Sequence, residues 1–230
     1  MKKRLAIIPA RSGSRRIKNK NIKKFINKPI ILRVLDEISK TNLFQEIYVS
    51  TDSLKIASIV KKHNYKIDFL RPKYLAKNNV ILNDILNFVL KKFRSQKKLF
   101  DEVWLILPTS VLLTYKDYKK ASNEFSKKNY SNMIAVSKFP APIEWAFQIK
   151  NDKLYPNNKK SIYLPSQSFK DCYYDTGTFL VYNLKKMNLK NKDIKKNIIF
   201  SPYILPPFKG VDIDTIEDWN LAIEYFKIKK

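Results

Sequence analysis

Short apolar runs recur along the chain, and segments of helical period separate them. LAII (5 to 8) is apolar throughout and ends at Pro9; EVWLIL (102 to 107) is apolar after Glu102 and stops at Pro108. A strand with no polar side must be buried on both faces, as happens in a parallel sheet covered by helices. EIYVST (46 to 51), KIDFL (66 to 70), MIAVS (133 to 137), GTFLVY (177 to 182) and IIFSPYIL (198 to 205) are read as further strands. Between them, PIILRVLDEISKT (29 to 41) repeats Ile30, Ile31, Val34, Leu35 and Ile38 at helical spacing, with Pro29 suited to a first helical position. SLKIASIVKKH (53 to 63), NDILNFVLKKF (83 to 93) with Asn83 as its cap, and the lysine-rich stretch 116 to 128 are also helical. A last helix starts at Thr215, where Asp218 completes a capping-box pattern and Trp219, Ala222, Ile223 and Phe226 form an apolar face. Strands alternating with helices predict an α/β fold with a mostly parallel sheet and helices on both faces. The 230 residues suit a single domain, 1 to 230. Segment 138 to 172, rich in Pro, Tyr and Asn and weakly periodic, is expected to be a small inserted lobe.

No apolar run approaches the roughly 18 residues of a membrane span, and the stretch before Arg11 is too short for a signal-peptide core. A single cysteine, Cys172, excludes an internal disulfide framework. A cytoplasmic protein is expected, with no membrane partner. The net charge of +26 raises nucleic acid as a ligand. The charge is mostly lysine spread along the chain, with no basic block interleaved with aromatics, so a solvated lysine surface is the expected reading and nucleic acid is not an expected partner. Glycines occur only at 13, 177 and 210, which removes both the Walker A loop and the GxGxxG fingerprint.

In parallel sheets ligands sit beyond the carboxyl ends of the strands. That rule directs attention to the turns after Pro9, Ser50 and Leu107 and to the region of Asp212. The first turn carries Arg11, Arg15, Arg16, Lys18 and Lys20 around Gly13, with Ser12 and Ser14 as hydroxyl donors. Gly13 is expected to let the backbone approach a ligand or take a positive φ. Clustered cations and backbone N–H groups suit a polyphosphate. Asp212 and Asp214 are two residues apart, so an extended segment turns both carboxylates to one face, where they can hold Mg²⁺. The alternative for this pair is a turn acid and a cap before the last helix. Asp52 is expected to make a turn or structural contact, and lone His63 to sit at a helix end. No dedicated general base stands out.

The motif IIPARSGSRRIKNKNI (7 to 22) resembles the signature of the acylneuraminate cytidylyltransferase family, close to IPARGGSKRIPRKNI. Pro9, Ala10, Arg11, Gly13, Ser14, Arg16, Ile17, Lys20, Asn21 and Ile22 match; Ser12 replaces a common glycine, and Lys18 and Asn19 replace Pro and Arg. VSTDS (49 to 53), FLRP (69 to 72), LPTS (107 to 110) and GVDIDTIEDW (210 to 219) resemble further family segments in the same order. The resemblance implies a Rossmann-like nucleotide-sugar transferase fold. It implies transfer of CMP from CTP to the anomeric hydroxyl of an acidic sugar, with pyrophosphate released. Arg11 and Lys20 would hold phosphates, assisted by Ser14, Arg15 and Arg16 within a nucleotide-binding stretch that includes Ala10, Ser12 and Gly13. Asn21 and Arg71 would contact the cytidine. Arg11, Lys20, Asp212 and Asp214 would carry the catalysis, the two aspartates through Mg²⁺.

The substrate is narrowed by two departures. LILPTSVLL (105 to 113) stands where sialic-acid members read LLQPTSPLR, so Leu107 and Leu113 replace glutamine and arginine. FPAPIEWAFQI (139 to 149) and PSQSFKDCYYDTGTFLVY (165 to 182) look like the branch that activates pseudaminic acid. Ser166, Gln167 and Asp175 are then the sugar-side candidates, and pseudaminic acid or a near relative the expected nine-carbon substrate. Pro165, Tyr174 and Thr178 depart from that branch. Sialic or legionaminic acid is the near alternative. A basic nucleic-acid-binding protein with a non-catalytic form of the fold is the alternative of another class. The family often dimerises through the excursion that corresponds to 138 to 172, and a homodimer is left open.

Overall fold

The computed structural model describes residues 2 to 187 and 199 to 228. In chain order the elements are β1 (Arg4–Pro9), the two-residue strands β2 (Lys24–Phe25) and β3 (Lys28–Pro29), α1 (Ile30–Ser39), β4 (Glu46–Ser50), α2 (Leu54–Lys61), α3 (Leu82–Ser95), β5 (Glu102–Ile106), α4 (Tyr115–Lys127), β6 (Asn132–Lys138), the hairpin β7 (Phe147–Lys150) and β8 (Lys153–Pro156), β9 (Tyr173–Asn183), β10 (Ser201–Ile204) and α5 (Ile216–Ile228). A six-stranded sheet has the order β10-β6-β9-β5-β1-β4. β4, β1 and β5 run parallel, as do β6 and β10, and β9 lies antiparallel between β5 and β6. The sheet is therefore mostly parallel, as the apolar runs predict.

Helices cover both faces because the central strands are apolar on both. Leu5 to Ile8 and Val103 to Ile106 are entirely buried. Cross-strand partners share a face, so Ala6, Trp104 and Val181 form one side and Ile7, Tyr48, Leu105 and Leu180 the other. On the first side Trp104 packs on Phe179, which meets Tyr118 of α4. On the second side Tyr48 packs edge-on against Phe93 of α3.

Three local expectations are corrected. KIDFL (66 to 70) forms no strand. Phe69 lies on Tyr48 across the sheet face and meets Phe88 and Phe93 edge-on, and its carbonyl accepts the Tyr48 hydroxyl at 2.5 Å. The segment crosses over a layer and adds no edge strand. Asn83 is no cap: α3 starts one residue before it, and its side chain accepts a hydrogen bond from the Tyr182 hydroxyl. Pro29 precedes α1 with extended backbone, where it ends β3. Of the predicted strand 198 to 205, residue 198 lies outside the described residues and 201 to 204 pair with β6.

The chain from β1 enters β4 on one side of it and later returns as β5 on the other. The carboxyl end of β1 is thus the switch point where a crevice opens. β6 also ends on this edge and β9 begins there, so the insertion 139 to 172 rises from the same side. Its hairpin β7–β8 is almost entirely exposed, with Ile149 at 74% and Leu154 at 63%.

Candidate active site

The turn after β1 is tied down before any ligand arrives. Asp52, just past β4, accepts the Ser12 amide at 3.0 Å and the Ser12 hydroxyl at 2.6 Å. Partial burial pushes the Asp52 carboxyl up, but these two bonds and the Arg71 charge outweigh it and hold it below the usual carboxylate range. Asn21 is buried and donates its amide to the Arg11 carbonyl at 2.9 Å, closing the far end of the turn. Ser12 is therefore used internally, and Ala10, wholly buried, supports the strand end. Gly13 keeps a negative φ, contrary to one of its two expected uses; a side chain there would meet nothing within 4 Å, so the turn is open at its tip.

Beside this turn lies a cleft of about 450 Å³. Arg11, Ser14, Arg15, Arg16, Lys20, Asn21, Arg71 and Asp214 all line it, which brings together most of the expected nucleotide residues; Ala10, Ser12 and Gly13 do not line it. Thr109, in the expected turn after Leu107, lines it too, and further lining comes from residues that sequence reading did not single out: Leu75, Lys77, Asn78, Val80, Leu82 and Ile85. They lie in the connection after FLRP and at the start of α3, and neither charge pattern nor spacing marks them. Asn78 accepts Arg11 Nη1 at 2.6 Å, so this wall also orients the arginine.

Arg71 is the most constrained group in the cleft. Its backbone N–H bonds to the Thr51 carbonyl at 2.8 Å, and its side chain is 1% exposed. Asp52 stands 3.8 Å from Nη2, yet among the described residues neither Nε nor Nη2 has a hydrogen-bond partner. Burial pulls the guanidinium below its ordinary value, Asp52 opposes this, and Arg11 adds to it. Leaving a buried donor unpaired costs about 1–3 kcal/mol, more for a charged group. Arg71 therefore adds positive charge at the cleft wall, while its unpaired Nε and Nη2 atoms are themselves enclosed.

Of the two late aspartates, both on the segment before α5, Asp214 lines the cleft and Asp212 does not. Ile213 between them is wholly buried, so both carboxylates face away from the core. The cap of α5 is made elsewhere: Asp218 accepts the Asp214 and Thr215 amides at 3.0 and 2.7 Å. Asp214 pairs with Arg16 at 2.6 Å and Lys20 at 3.1 Å, and Lys20 also donates to the Ile213 carbonyl at 2.7 Å. The basic turn and the acidic segment are therefore joined directly. Among the described residues Asp212 has no such partner. Although its residue surface is open to solvent, its carboxyl is pushed up to about 6, by burial of its surroundings first and then by Asp214, with Asp175 and Asp218 adding and Lys20 opposing.

Asp175 lies on β9 next to this acidic group, and its carboxylate accepts the Gly177 amide at 2.9 Å. Ser166 and Gln167 line a separate cleft of about 300 Å³ in the lobe, with Phe139, Pro142, Phe169 and Cys172. The sugar-side candidates are thus split between two places.

A family model described as cytidylyltransferase matches residues 5–168. The chain belongs to the cytidylyltransferase family. Over 98% of its length it is 29% identical to a pseudaminic acid cytidylyltransferase of Campylobacter jejuni, covering 97% of that protein. It is 26% identical over 98% of its length to a CMP-N,N'-diacetyllegionaminic acid synthase of Legionella pneumophila, again covering 97% of that protein. Among solved structures, a CMP:2-keto-3-deoxy-manno-octonic acid synthetase complexed with CTP matches 99% of this chain and 100% of its own, with TM-score 0.70 and 14% identity. At that identity the likeness shows the fold alone, a nucleotidyltransferase α/β fold as expected. Among the described residues no helix is long and apolar enough to cross a membrane.

Proposed function

We propose that this cytidylyltransferase moves CMP from CTP to the anomeric hydroxyl of a nine-carbon acidic sugar, pseudaminic acid, and releases pyrophosphate to supply surface-glycan synthesis. The observation that carries the nucleotide half is one cleft lined by five cations, Arg11, Arg15, Arg16, Lys20 and the buried Arg71. The cationic turn takes the triphosphate, and the pocket of Arg71, Leu75, Val80 and Leu82 takes the cytidine. Similarity to the Campylobacter pseudaminic acid enzyme, and the 139 to 182 motifs, support the sugar.

In the reaction the sugar hydroxyl forms a bond to the α-phosphorus while the bond from that phosphorus to the β-phosphate oxygen breaks. Negative charge grows on the phosphoryl oxygens and the leaving pyrophosphate. Arg11, Arg16 and Lys20 neutralise it, which suits a reaction driven by positioning and electrostatics. Asp212 and Asp214 fit a magnesium ion. The Asp212 carboxyl is pushed up to about 6 partly by its neighbour's charge, a strain that a cation relieves. Among the described residues no group of three or more acidic, His or Cys residues could hold a metal without help. Mg²⁺ is commonly bound by one or two carboxylates with substrate phosphates as further ligands. When bound it would screen the phosphate charge that builds during transfer. Arg16 and Lys20, which now occupy Asp214, would then be free to turn to the phosphates. The exposed apolar residues of the lobe, Ile149, Leu154 and Tyr163, support a homodimer formed through it.

The test is pyrophosphate release by purified protein with CTP and Mg²⁺ across pseudaminic, legionaminic and sialic acids. Release with pseudaminic acid at the highest kcat/KM is expected. A preference for either other sugar moves the assignment, and silence with all three, together with salt-sensitive DNA binding, removes it.

A further inference from the structure

Two of the three glycines meet at one contact between β9 and the segment carrying the late aspartates. A Cβ at Gly210 would lie 2.7 Å from Thr176 Cγ2, and a Cβ at Gly177 would lie 2.8 Å from Asp212 Oδ1 and 2.9 Å from its Cγ. Atoms do not pack that closely, so the backbone of Gly177 is the surface on which the Asp212 carboxylate rests. The backbone there is unusual for a strand. Gly177 has φ +57°, and no other glycine among the described residues has a positive φ. It sits where pairing between β6 and β9 is interrupted: between the partners Ile134–Leu180 and Val136–Asp175, β9 carries Thr176 to Phe179 opposite Ala135 alone. The Thr176 hydroxyl, wholly buried, bonds to the Ala135 carbonyl at 2.9 Å and occupies the gap in the ladder. Asp175 holds the Gly177 amide from the other side. Bulges of this kind re-aim the chain beside active sites.

We infer that Gly177 is a positioning residue for the transfer reaction: its bare backbone, held out by the bulge, sets where the Asp212 carboxylate stands. The inference rests on the reading of Asp212 as a ligand of the divalent cation. Any side chain at 177 displaces that carboxylate, because Ile213 beside it is buried in the core and the main chain cannot follow. Ligand carboxylates tolerate little displacement, and outer-shell changes cost about 10–100-fold in metal affinity.

The experiment compares wild type, Gly177→Ala, Asp212→Ala and the double variant by Mn²⁺ titration read by electron paramagnetic resonance, and by thermal unfolding in EDTA. Gly177→Ala is expected to weaken Mn²⁺ binding about tenfold or more, with CTP binding in EDTA unchanged. It is expected to lower the melting temperature more when Asp212 is present than in the Asp212→Ala background, where the overlap is gone. If the single variant does not fold, recovery of folding in the double variant makes the same point. Unchanged Mn²⁺ affinity in Gly177→Ala, or the same melting loss in both backgrounds, overturns the inference. If wild type and Asp212→Ala bind Mn²⁺ equally, the cation reading of Asp212 falls. The unfolding comparison then still decides whether Gly177 places that carboxylate.

Discussion

Replacing Asp212 by asparagine separates what this residue does for the fold from what it does for the reaction. The carboxyl is pushed from 3.8 to about 6 by burial and by Asp214, so its charged form is disfavoured in the folded chain. At roughly 1.4 kcal/mol per unit, that shift corresponds to about 3 kcal/mol. The residue is open to solvent, and screening reduces the realised cost to about 1 kcal/mol. A raised carboxyl means that the folded state holds its proton more tightly than the unfolded state. Stability is therefore lost as pH rises from the unfolded value through about 6, and the cost is complete above it. Asparagine carries no charge and escapes the cost. The variant is expected to melt roughly 2–4 °C higher than wild type at pH 8 in EDTA and low salt. That advantage shrinks as pH falls through 6 toward 4. Saturating Mg²⁺ should reverse the order by stabilising wild type alone, and turnover by the variant should vanish. Calorimetry across the pH series, with and without Mg²⁺, reads all of this. A variant no more stable than wild type at pH 8, or an advantage that grows toward acid, would refute the like-charge reasoning; wild-type turnover would remove the metal assignment.

Arg71→Met retains volume but leaves the largely buried Asp52 carboxylate without its cation, so stability should fall, while CTP affinity measured by calorimetry should fall roughly 10–100-fold through loss of a charged contact. Asp117→Ala removes the acceptor of the Thr114 amide and hydroxyl at the start of α4 and the partner of Lys209 at 2.6 Å. Burial pushes the Asp117 carboxyl up, but Lys209 and Thr114 outweigh it and hold it below its ordinary value. It therefore stabilises the fold above the usual carboxylate range and loses that contribution as pH falls. The variant should be about 1–2 kcal/mol less stable at neutral pH by denaturant unfolding, with activity per folded molecule unchanged.

How much of this was legible before the fold was known depends on the range of each interaction. The apolar runs of β1 and β5 and the helical period of α1 are local, because burial on both faces or on one stripe writes itself into neighbouring residues. The cationic turn from Arg11 to Lys20 and the acidic pair Asp212 and Asp214 are contiguous in the chain, and their chemistry could be read from type and spacing alone. KIDFL was misread because the same apolar composition serves a strand or a crossing segment. Only the packing of Phe69 against Tyr48 and Phe93 decides between them. The wall from Leu75 to Ile85 was invisible because its residues acquire meaning only by packing beside Arg11 at the cleft.

The sequence by itself determined the α/β alternation, the basic turn and the aspartate pair, since each is set by residues close together in the chain. Tertiary structure alone decided that Arg71 is buried with unpaired donors, that Arg16 and Lys20 reach Asp214, and that Gly177 lies under Asp212. Those contacts join residues from 35 to nearly 200 positions apart. Their geometry is a product of how the strands are ordered in the sheet, which no local pattern encodes.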